Sequence, residues 1–297
     1  MYKILSAALC ASLLLTACGR NDDGPDATGV FETTETTVAA RVAGELVKLD
    51  VEEGRTLAAG QAVGLVDTMQ LHLKKRELMA RLRAADSRRY DVRRQLASLR
   101  QQIATERRER RRYEGLVARG AANTKQLDDI DARIAVLEKQ LAAQNETLEK
   151  GNRSVSGEIE AIEAQLAQTD DMLAHCVVTA PTAGTVLAKY AERGEMAQQG
   201  RALFKMGTLD RLYLRAYMTA PQVTGLKVGS RVTVLADMGE EGTRRYEGTV
   251  AWISDKAEFT PKTIQTRDER ANLVYAVKVA VKNDGFIKIG MYGDVLL

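Results

Sequence analysis

Cysteine and histidine are the residue types that most often bind metals or act in catalysis. This 297-residue chain contains three cysteines and two histidines. Cys10 and Cys18 lie close to the N-terminus, whereas Cys176 stands alone in the rest of the chain. His72 and His175 are far apart in the sequence. A zinc site needs about four ligands, and a nucleophilic cysteine needs a base beside it. The sequence therefore predicts no metal site, no catalytic residue and no cofactor.

The first 17 residues have the pattern of a secretory signal. Lys3 is followed by a short apolar stretch, residues 4–15, which is shorter than the roughly 20 residues that cross a bilayer. Leu15-Thr16-Ala17-Cys18 then resembles the lipobox of bacterial lipoproteins. The resemblance implies cleavage of residues 1–17 and acylation of Cys18, followed by a polar tether over residues 18–36. The alternative is an ordinary signal peptide with a coincidental cysteine.

Composition argues against several classes of function. A net charge of +3 gives no reason to expect nucleic acid as the partner. The chain contains no phosphate-binding GxxxxGK[ST] motif. Acidic residues fall on predicted helix surfaces and turns, without the pairing that acid–base catalysis requires. The sequence predicts that the protein is not an enzyme.

One glycine pattern occurs twice, 140 residues apart, at Gly44 and at Gly184. Each copy has further glycines 10 and 16 positions later and then runs into an apolar strand. Such glycines suit tight turns. The repeat resembles the two halves of a lipoyl or biotinyl domain, at residues 37–67 and 175–209. Carrier domains place a modifiable lysine in the turn between the halves, and here a long insertion replaces that turn. A carrier-domain enzyme is therefore a weak alternative.

The insertion, residues 68–174, is predicted to be an antiparallel helical hairpin. Its second arm has apolar residues every seven positions, which is typical of a coiled-coil seam. A turn at residues 120–123 separates two arms of about 50 residues, each reaching roughly 70 Å. Arg89 interrupts the apolar series of the first arm. Gly151 and Gly157 predict a bend in the second arm. The seam residues are Ile134, Leu141, Leu148, Val155 and Ile162.

The remaining residues, 210–297, alternate between strand-like segments and glycine-rich turns. Four or more strands predict a small antiparallel β-barrel. The predicted fold class is α+β, elongated and multidomain. It combines a split lipoyl-like sandwich, an inserted coiled-coil hairpin and a C-terminal barrel. Since the last strand runs to the end of the sequence, we do not expect both termini to build a large additional domain.

This order of segments resembles the HlyD-type membrane-fusion proteins, or periplasmic adaptor subunits. Residues 178–186 are similar to the family's APxxGxV segment, and Gly290-Met291 is similar to its closing strand. Residues 257–263, with Arg267 to Arg270 downstream, resemble the YbhG-like branch, which is associated with ABC exporters. The resemblance implies an adaptor between an inner-membrane transporter and an outer-membrane TolC-like channel. It also implies a ring of copies, often a hexamer.

The resemblance further implies a channel-docking tip on the hairpin. Adaptors that dock on TolC-type channels carry Arg, Leu and Ser at fixed spacing. Here Arg112 and Leu116 match, while Asn123, beside Thr124, stands in place of the serine. The alternative for Arg112 is a solvated charge on a helix surface.

The expected location is the periplasm, with the lipid anchor holding the protein at the inner membrane. Gly19, the residue after the acylated cysteine, leaves sorting to either membrane open. Two alternatives to an ABC-exporter adaptor remain at this point. One is an adaptor of an RND pump, and the other is a purely structural coiled-coil lipoprotein. The exported substrate and the identities of transporter and channel are left open.

Overall fold

The computed structural model describes residues 25–259 and 273–297. The strands, in chain order, are β1 (Ala27–Glu32), β2 (Glu35–Ala39), β3 (Gly44–Leu49), β4 (Thr56–Leu57), β5 (Ala62–Val66), β6 (Val177–Thr179), β7 (Gly184–Lys189), β8 (Met196–Ala197), β9 (Ala202–Gly207), β10 (Arg211–Thr219), β11 (Arg231–Asp237), β12 (Thr243–Ile253), β13 (Glu258–Phe259), β14 (Leu273–Lys282) and β15 (Tyr292–Leu296). The helices are α1 (Met69–Asp86), α2 (Val92–Gln95), α3 (Ala97–Val117), α4 (Thr124–His175) and α5 (Ala220–Thr224). A short 3₁₀ turn covers Gly239–Glu241.

The glycine repeat folds into a sandwich of two four-stranded antiparallel sheets. Their strand orders are β2-β9-β7-β4 and β6-β5-β3-β8. The two halves exchange strands reciprocally: Gly44 of β3 pairs with Ala197 of β8, and Gly184 of β7 pairs with Leu57 of β4. Each half therefore completes a sheet of the other, and neither has a core of its own.

One pair of equivalent glycines, Gly54 and Gly194, makes equivalent contacts in the sandwich. Gly54 and Gly194 both have positive φ, at 83° and 89°. Their N–H groups donate to the carbonyls of Val186 and Leu46, at 2.9 and 2.8 Å. A side chain at either position would be strained, because L-residues avoid this backbone region. The 140-residue repeat is thus a repeat of backbone geometry as well as of residue type.

The insertion is a helical hairpin, as predicted, but its two arms are unlike. The second arm is one uninterrupted helix, α4, about 77 Å long at 1.5 Å per residue. The first arm is interrupted between α1 and α2, at residues 87–91. The interruption includes Arg89, where the apolar series fails. The sequence predicted a bend at Gly151 and Gly157 in the second arm, and α4 is helical through both glycines.

Gly151 has a packing role instead. A Cβ at that position would lie 2.7 Å from Cε2 of Tyr90, which sits in the interruption of the first arm. Next to it, the Asn152 side chain accepts a hydrogen bond from Tyr90 N–H at 2.8 Å and donates to the Tyr90 carbonyl at 3.0 Å. Asp91 then caps α2 by accepting from Arg94 N–H. Asn152 of the second arm therefore satisfies both backbone groups of Tyr90, and Asp91 of the first arm satisfies an N–H at the start of α2.

The seam between the arms is a line of buried aliphatic side chains. At the base of the hairpin, Leu78 and Ala85 of α1 pack against Ile159 and Ile162 of α4. Nearer the turn, the buried residues on the two arms are Leu96, Ile103, Ile130, Ile134 and Leu148. This narrow contact is the one expected for heptad spacing. No helix among the described residues is both long enough and apolar enough to cross a membrane.

The barrel is built from six strands, ordered β10-β1-β15-β11-β12-β14 and closed by pairing of β10 with β14. β13 pairs with the first two residues of β14, Leu273 and Val274. The N-terminal segment contributes one strand, β1, to this barrel. β1 pairs with β10 at Gly29↔Ala216 and with β15 at Gly29↔Gly293. The predicted tether over residues 18–36 is therefore wrong from Ala27 onward. Phe31 of β1 is fully buried, and burying that ring stabilises the strand in the barrel.

Candidate functional site

The hairpin turn brings the four predicted docking residues to one end of the hairpin. α3 ends at Val117 and α4 begins at Thr124. Between them Gly120 has φ of 70°, and Ala121 N–H donates to the Leu116 carbonyl at 2.9 Å. This left-handed residue followed by a backward hydrogen bond ends a helix sharply. The chain reverses within the few residues that the sequence predicted.

Asn123 has a structural task at the turn. Its Oδ1 accepts a hydrogen bond from Lys125 N–H at 3.0 Å and lies 3.5 Å from the Thr124 hydroxyl. Asn123 is therefore the N-cap of α4. Asparagine and serine are both favoured at this position, since each offers a side-chain oxygen to the unpaired N–H groups. A serine-to-asparagine difference at this position preserves the cap.

Arg112 and Leu116 lie one helical turn apart on α3, so they share a face. The Arg112 side chain is 71% exposed and has one ion pair, to Glu109 of its own helix at 3.6 Å. Leu116 is half-buried, while Thr124 is exposed. The arrangement offers an exposed guanidinium next to an apolar side chain, with polar groups across the turn.

The arginine run at residues 107–112 divides into two sets, which the sequence analysis missed. Arg107 and Arg110 bind the second arm through Glu138 and Asp131, the latter at 2.6 Å. The hydrogen bond to Asp131 raises the pKa of Arg110 above its ordinary value. The other set, Arg108, Arg111 and Arg112, is exposed. The spacing from Ile103 could have revealed this division, because positions four and seven residues after a seam residue face the same partner.

A groove of about 650 Å³ runs beside the seam, between α3 and α4. Thr105 lines it on α3 and Val136 on α4. Val136 is 56% exposed although it is a large aliphatic residue. Val136 is not one of the residues spaced by sevens along the seam, so the sequence periodicity did not identify it.

Two cysteines were considered in the sequence, Cys18 as the predicted acylation site and Cys176 as the one that stands alone. Cys18 lies outside the described residues. Cys176 is buried at the junction of α4 and β6, and burial, with a smaller contribution from Asp67, raises the pKa of its thiol. A neutral buried thiol is unreactive. Within residues 25–259 and 273–297, no three His, Cys, Asp or Glu side chains are grouped in a way that could hold a metal ion.

Comparison with known proteins matches residues 34–208 to the barrel-sandwich hybrid domain of RND membrane fusion proteins (RND MFP). A UPF0194 membrane protein of Yersinia pseudotuberculosis is 28% identical, over 97% of this chain and 96% of that protein. The UPF0194 membrane protein YbhG of Salmonella arizonae is 26% identical, over 97% and 95%. The crystal structure of MacA from Actinobacillus actinomycetemcomitans superimposes with a TM-score of 0.54. It is 18% identical and covers 91% of this chain and 76% of MacA. At this level of identity, the similarity to MacA shows a similar fold alone.

Proposed function

Because the chain belongs to the family of RND-type membrane fusion proteins, whose barrel-sandwich hybrid domain spans residues 34–208, we propose that it is a periplasmic adaptor of a tripartite export pump. In this role it links an inner-membrane transporter to a TolC-like channel in the outer membrane. The membrane-fusion resemblance seen in the sequence, including its YbhG-like branch, is confirmed.

The hairpin tip is the observation that carries this proposal. A helix of about 77 Å places the tip far from both β domains. Cross-arm ion pairs and a buried seam hold the two arms together along this length. At the tip, Arg112 is exposed beside Leu116. A cation next to an apolar contact suits an acidic, partly apolar channel mouth, with the charge steering the encounter.

The proposed mechanism is mechanical. Acylated Cys18 holds the protein at the periplasmic face of the inner membrane. The barrel and sandwich pack against neighbouring copies in a ring, which we propose to be a hexamer, and contact the transporter. The hairpins together meet the channel, so that the assembly encloses a path for the exported compound. Energy comes from the transporter, and we assign no catalysis and no cofactor to this chain.

The proposed transporter is of the ABC type. The support is the similarity to the YbhG-like relatives, which extends over nearly the whole chain. A second candidate is an RND pump, since the matching family model is that of RND membrane fusion proteins. A photo-reactive residue on the barrel, at exposed Trp252, followed by identification of the captured inner-membrane protein, decides between the two.

Photo-crosslinking from the tip in living cells tests the docking role. Probes replace Leu116 and Thr124, and Asn123 is left intact because losing its cap costs about 1 kcal/mol. We expect both probes to capture an outer-membrane channel. The matched control is a probe at Met79, which is exposed on α1 near the base of the hairpin.

A charge-reversing variant adds a functional measurement. We expect Arg112→Glu to abolish capture from Leu116 and to impair export, whereas Arg108→Glu leaves both unchanged. If a lipidated, folded protein captures no channel from either tip position, docking is refuted and a purely structural lipoprotein becomes the better interpretation. Capture from Met79 at equal yield would also contradict a tip-specific contact.

A further inference from the structure

We propose that the end of the barrel remote from the sandwich rests on the lipid bilayer and inserts Val228, Phe259 and Leu273 among the lipid headgroups. This inference rests on the proposed acylation of Cys18. It assigns the barrel a direct membrane contact in addition to the lipid anchor.

The chain enters the barrel at a fixed point, Asp26. Its N–H donates to the Val295 carbonyl at 3.0 Å, and its carboxylate accepts from Leu297 N–H at 2.8 Å. Its carbonyl accepts a hydrogen bond from the Gln222 side chain on α5. Three hydrogen bonds therefore hold Asp26 beside α5 and the end of β15.

The distance from this point to the lipid is short. Cys18 and Asp26 are eight residues apart, so a fully extended chain spans at most about 29 Å. Two or more acyl chains at Cys18 would keep that residue at the bilayer surface. The barrel end that contains Asp26 is then confined to within this distance of the membrane.

The strand registers show which end this is. Ala27 is level with Val295, and Thr219, just before α5, is level with Val274. The opposite end of the barrel is connected to the sandwich by two short links, residues 33–34 and 208–210. A hydrogen bond of 2.6 Å from the Thr33 hydroxyl to the Thr208 carbonyl joins these links. The end with Asp26 is therefore the one that faces the membrane.

Large apolar side chains are exposed at this same end, on separate segments. Phe259 is 76% exposed and pairs across strands with Leu273, which is 54% exposed. Val228, between α5 and β11, is 65% exposed. Apolar groups from several segments at one end of a domain indicate a contact surface. Because the tether from Cys18 to Asp26 is short, the bilayer that holds the acyl chains lies within reach of these side chains. We therefore assign the bilayer as their partner.

Charges near these residues suit a headgroup layer. Among the described residues, the cations at this end are Lys227, Arg231 and Lys256, and the anions are Asp26, Glu247, Asp255 and Glu258. Glu258 is paired with Arg215 at 3.4 Å, and Asp26 is occupied by backbone hydrogen bonds. Lysine and arginine close to a bilayer are attracted to anionic lipid headgroups.

Tryptophan fluorescence in nanodiscs tests the proposal on the lipidated protein. The chain contains one tryptophan, and Trp252→Phe removes it. Into this background Phe259→Trp places a probe at the proposed contact, and Phe286→Trp places one at the opposite barrel end, where Phe286 is 58% exposed. Leu273→Trp is a second contact probe. The nanodiscs contain phosphatidylethanolamine, phosphatidylglycerol and brominated lipids, which quench nearby tryptophan.

We expect brominated lipid to reduce emission at positions 259 and 273 about twofold or more, and to leave position 286 unchanged, since an interfacial ring lies within the headgroup layer. Absence of quenching at 259 and 273, with acyl chains on Cys18 verified by mass spectrometry, would overturn the membrane contact. Such a protein could still capture a channel through Leu116, so this failure is distinct from failure of the adaptor role. An unacylated Cys18 would overturn the membrane contact as well, because it removes the constraint on distance.

Discussion

The sandwich and the hairpin are both made of two sequence segments that come together, yet only the sandwich is symmetric. Its strands β3 and β7, β4 and β8, and β5 and β9 all begin 140 residues apart. The hairpin pairs an interrupted arm with a continuous one. The difference follows from the kind of contact. Sheet pairing sets the register residue by residue, and a one-residue slip would turn every side chain to the other face. A coiled-coil seam needs only apolar contact, so one arm tolerates an interruption if its backbone groups find partners.

The largest expected difference between the two regions concerns matched leucine truncations. Leu46 in the sandwich core is 0% exposed, and Leu148 in the hairpin seam is 4% exposed. We expect Leu46→Ala to cost about 3–5 kcal/mol of unfolding free energy and Leu148→Ala about half as much, because a two-helix seam lets water and neighbouring side chains fill the gap. Urea denaturation measures both when it is followed by circular dichroism, in which the helix signal reports the hairpin and the sheet signal includes the sandwich. Equal losses would mean that the seam is as tightly packed as the sandwich.

The symmetry of the sandwich predicts equal effects at equivalent glycines. Gly54→Ala and Gly194→Ala should each destabilise by about 1–2 kcal/mol, because each forces a side chain into the left-handed region. Neither glycine has atoms within 4 Å of a built Cβ, so steric overlap does not complicate the comparison. Thermal unfolding of the two variants is the measurement. A clear inequality would show that the halves are alike in geometry but not in energy.

The asymmetry of the hairpin predicts opposite effects at the two glycines of α4. Gly157→Ala should stabilise the hairpin by up to about 1 kcal/mol, because alanine favours a helix and the site is open. Gly151→Ala should instead lower stability, because the added methyl group collides with the Tyr90 ring. Helix content during thermal unfolding measures both effects.

A double variant checks the cause of the loss at Gly151. In a Tyr90→Ala background, Gly151→Ala has no ring to collide with, so we expect it to become stabilising like Gly157→Ala. If Gly151→Ala remains destabilising without Tyr90, the contact between the arms is not what requires glycine there.

Much of this architecture could be predicted because its signals are local. The glycine spacing predicted the sandwich, heptad spacing predicted the hairpin, and alternating apolar residues predicted the barrel strands of the C-terminal segment. The packing role of Gly151 was not predicted, because helix propensity counts glycine as a weakness and does not register a ring packed on it.

β1 could not be predicted because its partners are remote in sequence. It pairs with β10 and β15, which lie near the other end of the chain. Its Gly29 is required by that pairing, since a Cβ there would lie 2.3 Å from the Arg215 carbonyl oxygen. By itself, a short segment after a polar stretch resembles a tether. Strand assignment depends on tertiary context more than helix assignment does.

The sequence predicted a docking tip at Arg112, Leu116, Asn123 and Thr124, and that role stays a prediction, whereas the division of the arginines near the tip was not predicted. Arg112 and Leu116 share a face of α3 because they are four residues apart, and Asn123 caps α4, a position that favours its residue type. A run of arginines does not itself show which members pair with the other arm. That depends on the rotation of α3 about its axis, which the seam residue Ile103 fixes.

The smallest expected effect separates these two sets of arginines. Arg110 pairs across the hairpin with Asp131, whereas Arg111 is exposed. We expect Arg110→Gln to lower the thermal midpoint of the hairpin slightly at low salt, and Arg111→Gln to leave it unchanged. Because mobile ions screen exposed charges within about 10 Å at 0.1 M salt, the difference between the variants should shrink as salt is added. If both substitutions lowered the midpoint equally, helix propensity and total charge would explain the loss. The ion pair between Arg110 and Asp131 of the second arm would then contribute no measurable stability.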